Sequence, residues 1–156
     1  MEFIEVVRQR RSIRKYKPDP VPDEVLDQVL EAARLAPSAG NRQPWHFILV
    51  KDPERKKMLG VSSWAQEAPV VIVGCTEAAS PTDIAIAFEH LVLAAANLGL
   101  GTCWIGRWGA DETIKAALSI PENIRVLAVT PLGYPAESPP PKPRKPLSQV
   151  VHREKF

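Results

Sequence analysis

Cysteine, histidine and aromatic residues are scarce in this chain of 156 residues, which has two Cys, three His and 6% Phe, Trp and Tyr. The two cysteines, Cys75 and Cys103, form no CxxC pair, and no Cys/His cluster has metal-ligand spacing, so no metal site is expected. Both sit in apolar, strand-like contexts and read as buried free thiols that behave as small hydrophobes. A large excess of one charge is also missing. The 20 basic and 18 acidic residues leave a net charge of +2, too small for a dedicated nucleic-acid binder. Long uninterrupted apolar runs are absent as well. The most hydrophobic stretch, Ile84 to Leu100, is broken by Glu89, His90 and Asn97 and is short for a membrane span. The opening MEFIEVVRQRR has no apolar signal-peptide stretch, so the expected location is the cytoplasm.

Several catalytic signatures are missing too. The glycine-rich Gly99-Leu100-Gly101-Thr102-Cys103-Trp104-Ile105-Gly106 matches neither GxGxxG opening a helix nor a P-loop. There is no Ser/His/Asp order, no GxSxG and no paired-carboxylate motif. An enzyme built from this sequence therefore needs a bound cofactor for its chemistry.

What is present, with 45% hydrophobic residues, suffices for a packed core. Residues 2 to 9 read as a short helix with Phe3, Ile4, Val6 and Val7 as its apolar side. Val25, Leu26, Val29, Leu30 and Ala33 fall at helical spacing and predict a second helix from Asp23, ended by Pro37. Trp45 to Val50 reads as a strand and Pro53 to Leu59 as a short helix. The β-branched run Val70-Val71-Ile72-Val73 reads as a central strand. A long helix is expected over 82–98, a strand over Thr102 to Ile105, a helix over 112–118 capped by Asp111, and a strand over Arg125 to Thr130. Sixteen prolines include a cluster from Pro131 to Pro146, read as the start of an extended arm over 131–156. With no repeat and no domain boundary in the pattern, residues 1–156 read as one domain. Helices and strands mix without strict alternation, which favours an α+β sandwich over a doubly wound sheet.

Four segments offer binding chemistry. Arg10, Arg11, Ser12 and Arg14 place four donor-rich side chains within five residues, enough to clamp a phosphate. The alternative is a solvated basic surface. A nucleic-acid arm lacks support, since Tyr16 is the only nearby aromatic. In Pro37-Ser38-Ala39-Gly40-Asn41-Arg42-Gln43 the amides of Asn41 and Gln43 suit the edge of a planar heterocycle, or simply cap a turn. The glycines around Trp104, Ile105 and Gly106 let backbone N–H groups approach a flat ligand. Lys142 and Arg144, two residues apart in a proline-stiffened stretch, point the same way.

Taken in order, RRSIRKY, APSAGNRQPWHF, APVVIV, LGLGTCWIG and KPRKPLSQVV resemble the nitroreductase family across essentially the whole chain. The resemblance implies a three-layer α+β sandwich with a mainly antiparallel central sheet flanked by helices, and a homodimer with FMN at the subunit interface. It further implies an FMN-dependent oxidoreductase that takes electrons from NADH or NADPH through flavin N5 to a small electron-poor acceptor such as a nitroaromatic or quinone. Arg10 would bind the phosphate with Lys142 and Arg144, and Arg11 and Ser12 belong to the same motif. Arg14 would lie near the N1/O2 edge of the ring. Pro37, Ser38, Ala39, Asn41 and Gln43 match the segment reaching FMN from the neighbouring subunit. Trp104, Ile105 and Gly106 match the strand exit beside the ring, with a backbone N–H near N5. No catalytic side chain is implied. An ene-reducing, dehalogenating or flavin-cleaving enzyme, or a non-enzymatic flavin-binding module, would share these motifs. The covering segment of larger members and their acidic residue beside N5 have no counterpart here.

Overall fold

The computed structural model describes residues 2–156. Five strands form an antiparallel sheet in the order β1-β2-β5-β3, with β4 also paired to β5. Its centre is β2 (Val70–Thr76), buried along its entire length as its β-branched run predicts. β2 pairs with β1 (Trp45–Val50) on one side and β5 (Arg125–Gly133) on the other.

Alternation along β2 builds two cores. Val70 and Ile72 face one cluster with Leu26, Val29 and Ala33 of α2 (Asp23–Arg34), and Ile84, Phe88 and Leu91 of α5 (Thr82–Asn97). Val71, Val73 and Cys75 face a second cluster with Leu59, Ala65 and Ile114, on or beside α3 (Pro53–Met58), α4 (Ser63–Gln66) and α6 (Glu112–Leu118). The result is helix, sheet, helix: a three-layer α+β sandwich. Gly74 admits the ring of Phe88, since a Cβ there would stand 2.7 Å from it. Both cysteines are buried and free.

Three expectations need correction. The strand expected over Thr102 to Ile105 is two short strands, β3 (Gly101–Thr102) and β4 (Ile105–Gly106), each paired to β5. Continuing the register of Thr102 with Leu132 would set Cys103 opposite Pro131, which has no N–H for the ladder. Cys103 N–H instead donates to Thr130 Oγ1 at 3.1 Å. Second, the arm expected from Pro131 begins later. β5 runs through Pro131 and Leu132 to Gly133, all buried, because Val71 pairs with Pro131 from the other side. Third, Asp111 precedes α6 but its carboxylate makes no cap. It accepts the N–H of Val126 at 3.1 Å and faces Lys115 at 3.7 Å.

Helix α1 (Phe3–Gln9) buries only Val6 and leaves Phe3 70% exposed, with Ile4 and Val7 also open. Helix α5 buries Ile84, Phe88, Leu91, Val92 and Ala95 but leaves Ile86 exposed. Among the described residues no helix is long and apolar enough to cross a membrane.

Candidate active site

The segment after α1 is laid along the β3 edge of the sheet. Ser12 bridges Thr102 in parallel, and Ile13 N–H donates to Thr102 O at 2.8 Å. Ile13 is buried against Gly101, where even a Cβ would clash. Tyr16 locks the far end, its hydroxyl donating to Ile13 O at 2.5 Å. Burial, reinforced by Cys103 and Glu137, raises the Tyr16 pKa, so this hydroxyl stays a donor. Because Ile13 points into the core, its neighbours in the chain are left at the surface.

Those neighbours line a cleft of about 380 Å³ with Arg8, Arg10, Arg11, Ser12, Arg14, Lys142 and Arg144 around it. Pro139 to Pro141 form one wall, which brings the C-terminal cations 130 residues away in sequence to the N-terminal ones. No carboxylate lines the cleft, and among the described residues none of its cations is in an ion pair. Arg11 spends part of its guanidinium on the carbonyls of Arg8 and Arg10, at 2.7 and 2.8 Å. Arg144 donates to the carbonyls of Lys142 and Pro143 at 3.2 Å. Like charges gathered without a counterion repel, and a bound dianion reverses the sign of that interaction. Arg forks with a Ser hydroxyl suit phosphate in particular. The residues present therefore fit the phosphate of FMN.

Trp104, Ile105 and Gly106 stand at the broken strand. Freed from the ladder, Trp104 meets Phe88 edge-on with centroids 4.6 Å apart and stays 39% exposed. Ile105 packs on the second core, and Gly106 is exposed with open space where a Cβ would be.

Pro37 to Gln43 lie elsewhere. None of them lines the cleft. Ala39 N–H donates to Asp83 Oδ1 at 3.1 Å, which ties the loop to the first turn of α5. Ser38 Oγ accepts Gln43 N–H at 2.9 Å. Gly40, Asn41 and Gln43 all have positive φ, and Ala39, Asn41 and Gln43 are exposed. Left-handed backbone at non-glycine residues costs energy and is concentrated at binding segments.

Three residues at this site were not among those expected from the sequence. Trp64 of α4 lies with its ring 5.8 Å from the Arg14 guanidinium carbon. Glu137 accepts the Arg14 backbone N–H at 2.5 Å. Neither carries a motif. Arg8 also lines the cleft, and its place in the RQRR run was the available signal. Among the described residues no group of His, Cys, Asp and Glu could hold a metal ion.

The Nitroreductase family model matches residues 7–73 and 56–134 of this chain. A protein of Archaeoglobus fulgidus bearing an NADH dehydrogenase/NAD(P)H nitroreductase name is 40% identical over 151 residues, covering 87% of each chain. The FMN reductase [NAD(P)H] of Bacillus subtilis is 33% identical, over 99% of this chain and 74% of that protein. The solved structure of an FMN-dependent nitroreductase from Clostridium difficile R20291 superposes with a TM-score of 0.88 at 31% identity, covering 98% of this chain and 99% of that one.

Proposed function

The chain belongs to the nitroreductase family, and from that premise we propose that two copies associate to build two equal FMN sites, each composed of residues from both chains. The protein is an FMN-dependent oxidoreductase that passes electrons from NAD(P)H to a small electron-poor acceptor.

One observation carries the composite site: the separation of the cleft from the Pro37–Gln43 loop. The loop is tied to Asp83 at the start of α5, whereas Arg10 and Arg11 share a pocket with Ala96 and Gly99 at its end. The helix axis between Asp83 and Ala96 is about 20 Å long at 1.5 Å per residue. Loop and cleft also sit at opposite edges of the sheet, β1 and β3, roughly 14 Å apart at three strand spacings. The loop's exposure and its separation from the cleft together support its serving a site on a second copy. A second copy also accounts for the open apolar concavity formed by Phe3, Leu35, Leu93 and Ala94, which α1 and α5 leave uncovered.

In this reading Arg10, Arg11, Ser12, Lys142 and Arg144 hold the phosphate and fix the cofactor's position. Trp104, Ile105 and Gly106 would flank the ring, and the Gly106 region would offer it a backbone N–H. Arg14 would lie beside the ring, where its charge would favour the anionic reduced form. Pro37, Ser38, Ala39, Asn41 and Gln43 of the second copy close the site. FMN, when bound, supplies the electron transfer from nicotinamide to acceptor. The chain's own contribution is orientation and electrostatics, with no proton-transferring side chain. Buried free thiols fit a reducing compartment, and the cytoplasm is the proposed location.

Mixing two inactive variants tests the shared site. Arg10→Ala with Arg144→Ala damages the cleft, and Asn41→Ala with Ser38→Ala damages the loop. After statistical subunit exchange, about a quarter of the FMN sites should regain both halves intact. No recovery of bound FMN in the mixture would place cleft and loop in one chain and refute the composite site.

A further inference from the structure

We infer that Trp64 is a positioning residue for Arg14: its indole face holds the guanidinium in place without cancelling its charge. The inference rests on the reading that Arg14 lies beside the flavin ring.

Arg14 is exposed, and among the described residues its guanidinium makes no hydrogen bond and no ion pair. A free arginine at the surface samples many rotamers, so its charge would be smeared over the mouth of the cleft. Two contacts oppose this. Glu137 takes the Arg14 backbone N–H at 2.5 Å and fixes the root of the side chain. The Trp64 ring lies 5.8 Å from the guanidinium carbon and fixes its tip, within cation–π range.

The chemistry of the two partners is divided in a specific way. A carboxylate against the guanidinium would hold Arg14 equally well but would neutralise the field it projects. Here the carboxylate of Glu137 engages backbone N–H, and the guanidinium is left to an uncharged π face. Arginine is also the cation best matched to such stacking. Trp64 can serve as this platform because it is anchored. It is half-buried, packs against the second core, and is followed by Ala65, which is fully buried. Its own helix is held by Gln66 Nε2, which donates to Val61 O at 2.7 Å.

The test measures the two-electron reduction potential of the FMN-loaded protein by dye equilibration. The proteins are wild type, Arg14→Ala, Trp64→Met, Trp64→Phe, and Arg14→Ala combined with each Trp64 change. Arg14→Ala is expected to weaken the preference for reduced over oxidised FMN about tenfold, a fall of ~30 mV for a two-electron couple. Trp64→Met keeps apolar bulk and removes the ring face, and is expected to weaken the preference about threefold, or ~14 mV. Trp64→Phe restores most of that loss, and in the Arg14→Ala background neither Trp64 change lowers the potential further. A Trp64 effect of undiminished size without Arg14 would make it a general structural effect and overturn the inference. So would an unshifted Trp64→Met potential beside a shifted Arg14→Ala one. An unshifted Arg14→Ala potential would instead remove Arg14 from the ring edge, and the positioning role with it. Should Trp64→Met not fold, Trp64→Leu, which also removes the ring face, is run through the same cycle. A lowering that vanishes without Arg14 supports the inference, and none at all counts against it.

Discussion

Substituting Gly101 by alanine should unseat the Arg10–Arg14 segment from the sheet. A Cβ on Gly101 would stand 2.7 Å from Ile13 Cγ1, 2.8 Å from its Cβ and 2.9 Å from its Cγ2. Ordinary van der Waals contact begins near 3.4 Å, so Ile13 must retreat by about 0.7 Å. Because Ile13 touches with its Cβ, a rotamer change cannot open the gap, and the backbone itself has to move. That backbone carries the Ile13 N–H to Thr102 O bond of 2.8 Å and the Ser12 bridge, and it holds Arg10, Arg11, Ser12 and Arg14 at the cleft. Overpacking of this kind costs roughly 1–3 kcal/mol. For a chain of this size that corresponds to a melting temperature lower by about 3–9 °C. FMN affinity should fall along with stability. Adding Ile13→Ala should not rescue either quantity, because the Cβ contact at 2.8 Å survives truncation. Gly106→Ala is the control for stability, since nothing lies within 4 Å of its Cβ position. Scanning calorimetry and FMN titration read both effects. A Gly101→Ala protein with wild-type melting and wild-type FMN affinity would refute the reasoning, as would full rescue by Ile13→Ala.

Asp111→Ala should destabilise the protein by about 1–3 kcal/mol in urea unfolding, because it strands the buried N–H of Val126 and removes the partner of Lys115. Asp111→Asn keeps an acceptor and should lose less; equal losses would show that the hydrogen bond contributes nothing. Burial, reinforced by Asp111, pushes the Cys75 thiol up to about 12 from its usual 9. Through that window the unfolded chain releases a proton that the folded chain retains, so stability should fall as pH rises above about 9. Cys75→Ala should flatten this alkaline slope, and an unchanged slope would remove the thiol as its cause.

Periodicity made most of the scaffold legible. β1 runs from Trp45 to Val50 as its apolar run predicts, and α2 begins at Asp23 and buries Leu26, Val29 and Ala33. Those elements follow local rules, and their burial agrees with their pattern. The failures come from pairing. That Pro131 continues a strand depends on which side of β5 needs its N–H, and a proline cluster in the sequence reads only as a breaker. The break at Cys103 and Trp104 depends on their register with that same proline. Asp111 has the position of a cap, but a nearer buried donor, the N–H of Val126, takes its carboxylate. At the site, the basic character of Arg10 to Arg14 and of Lys142 and Arg144 was visible. Their convergence followed only from the family resemblance, because the segment from Gly133 through Pro141 that brings them together has no sequence signature beyond proline. Trp64 and Glu137 act on Arg14 across gaps of 50 and 123 residues. Nothing local in either segment announces a contact of that range.

The site's shape depends on positions where the chain withholds an atom. Without an N–H, Pro131 interrupts the ladder opposite Cys103 and turns Trp104 out of the sheet. Without a Cβ, Gly74 lets the ring of Phe88 sink onto β2, which sets the height at which Phe88 meets Trp104 edge-on at 4.6 Å. Gly101, equally bare, lets Ile13 dock and so holds the arginines beside that same tryptophan's strand. The arginine segment and Trp104 are thereby placed from one short stretch, Gly101 to Gly106, against one strand, β5. Their spacing is then a property of the sheet's covalent and hydrogen-bond geometry. A rigid frame of this kind suits a cofactor that must be held in orientation while substrates exchange, and it leaves adaptability to the loops the second copy would supply.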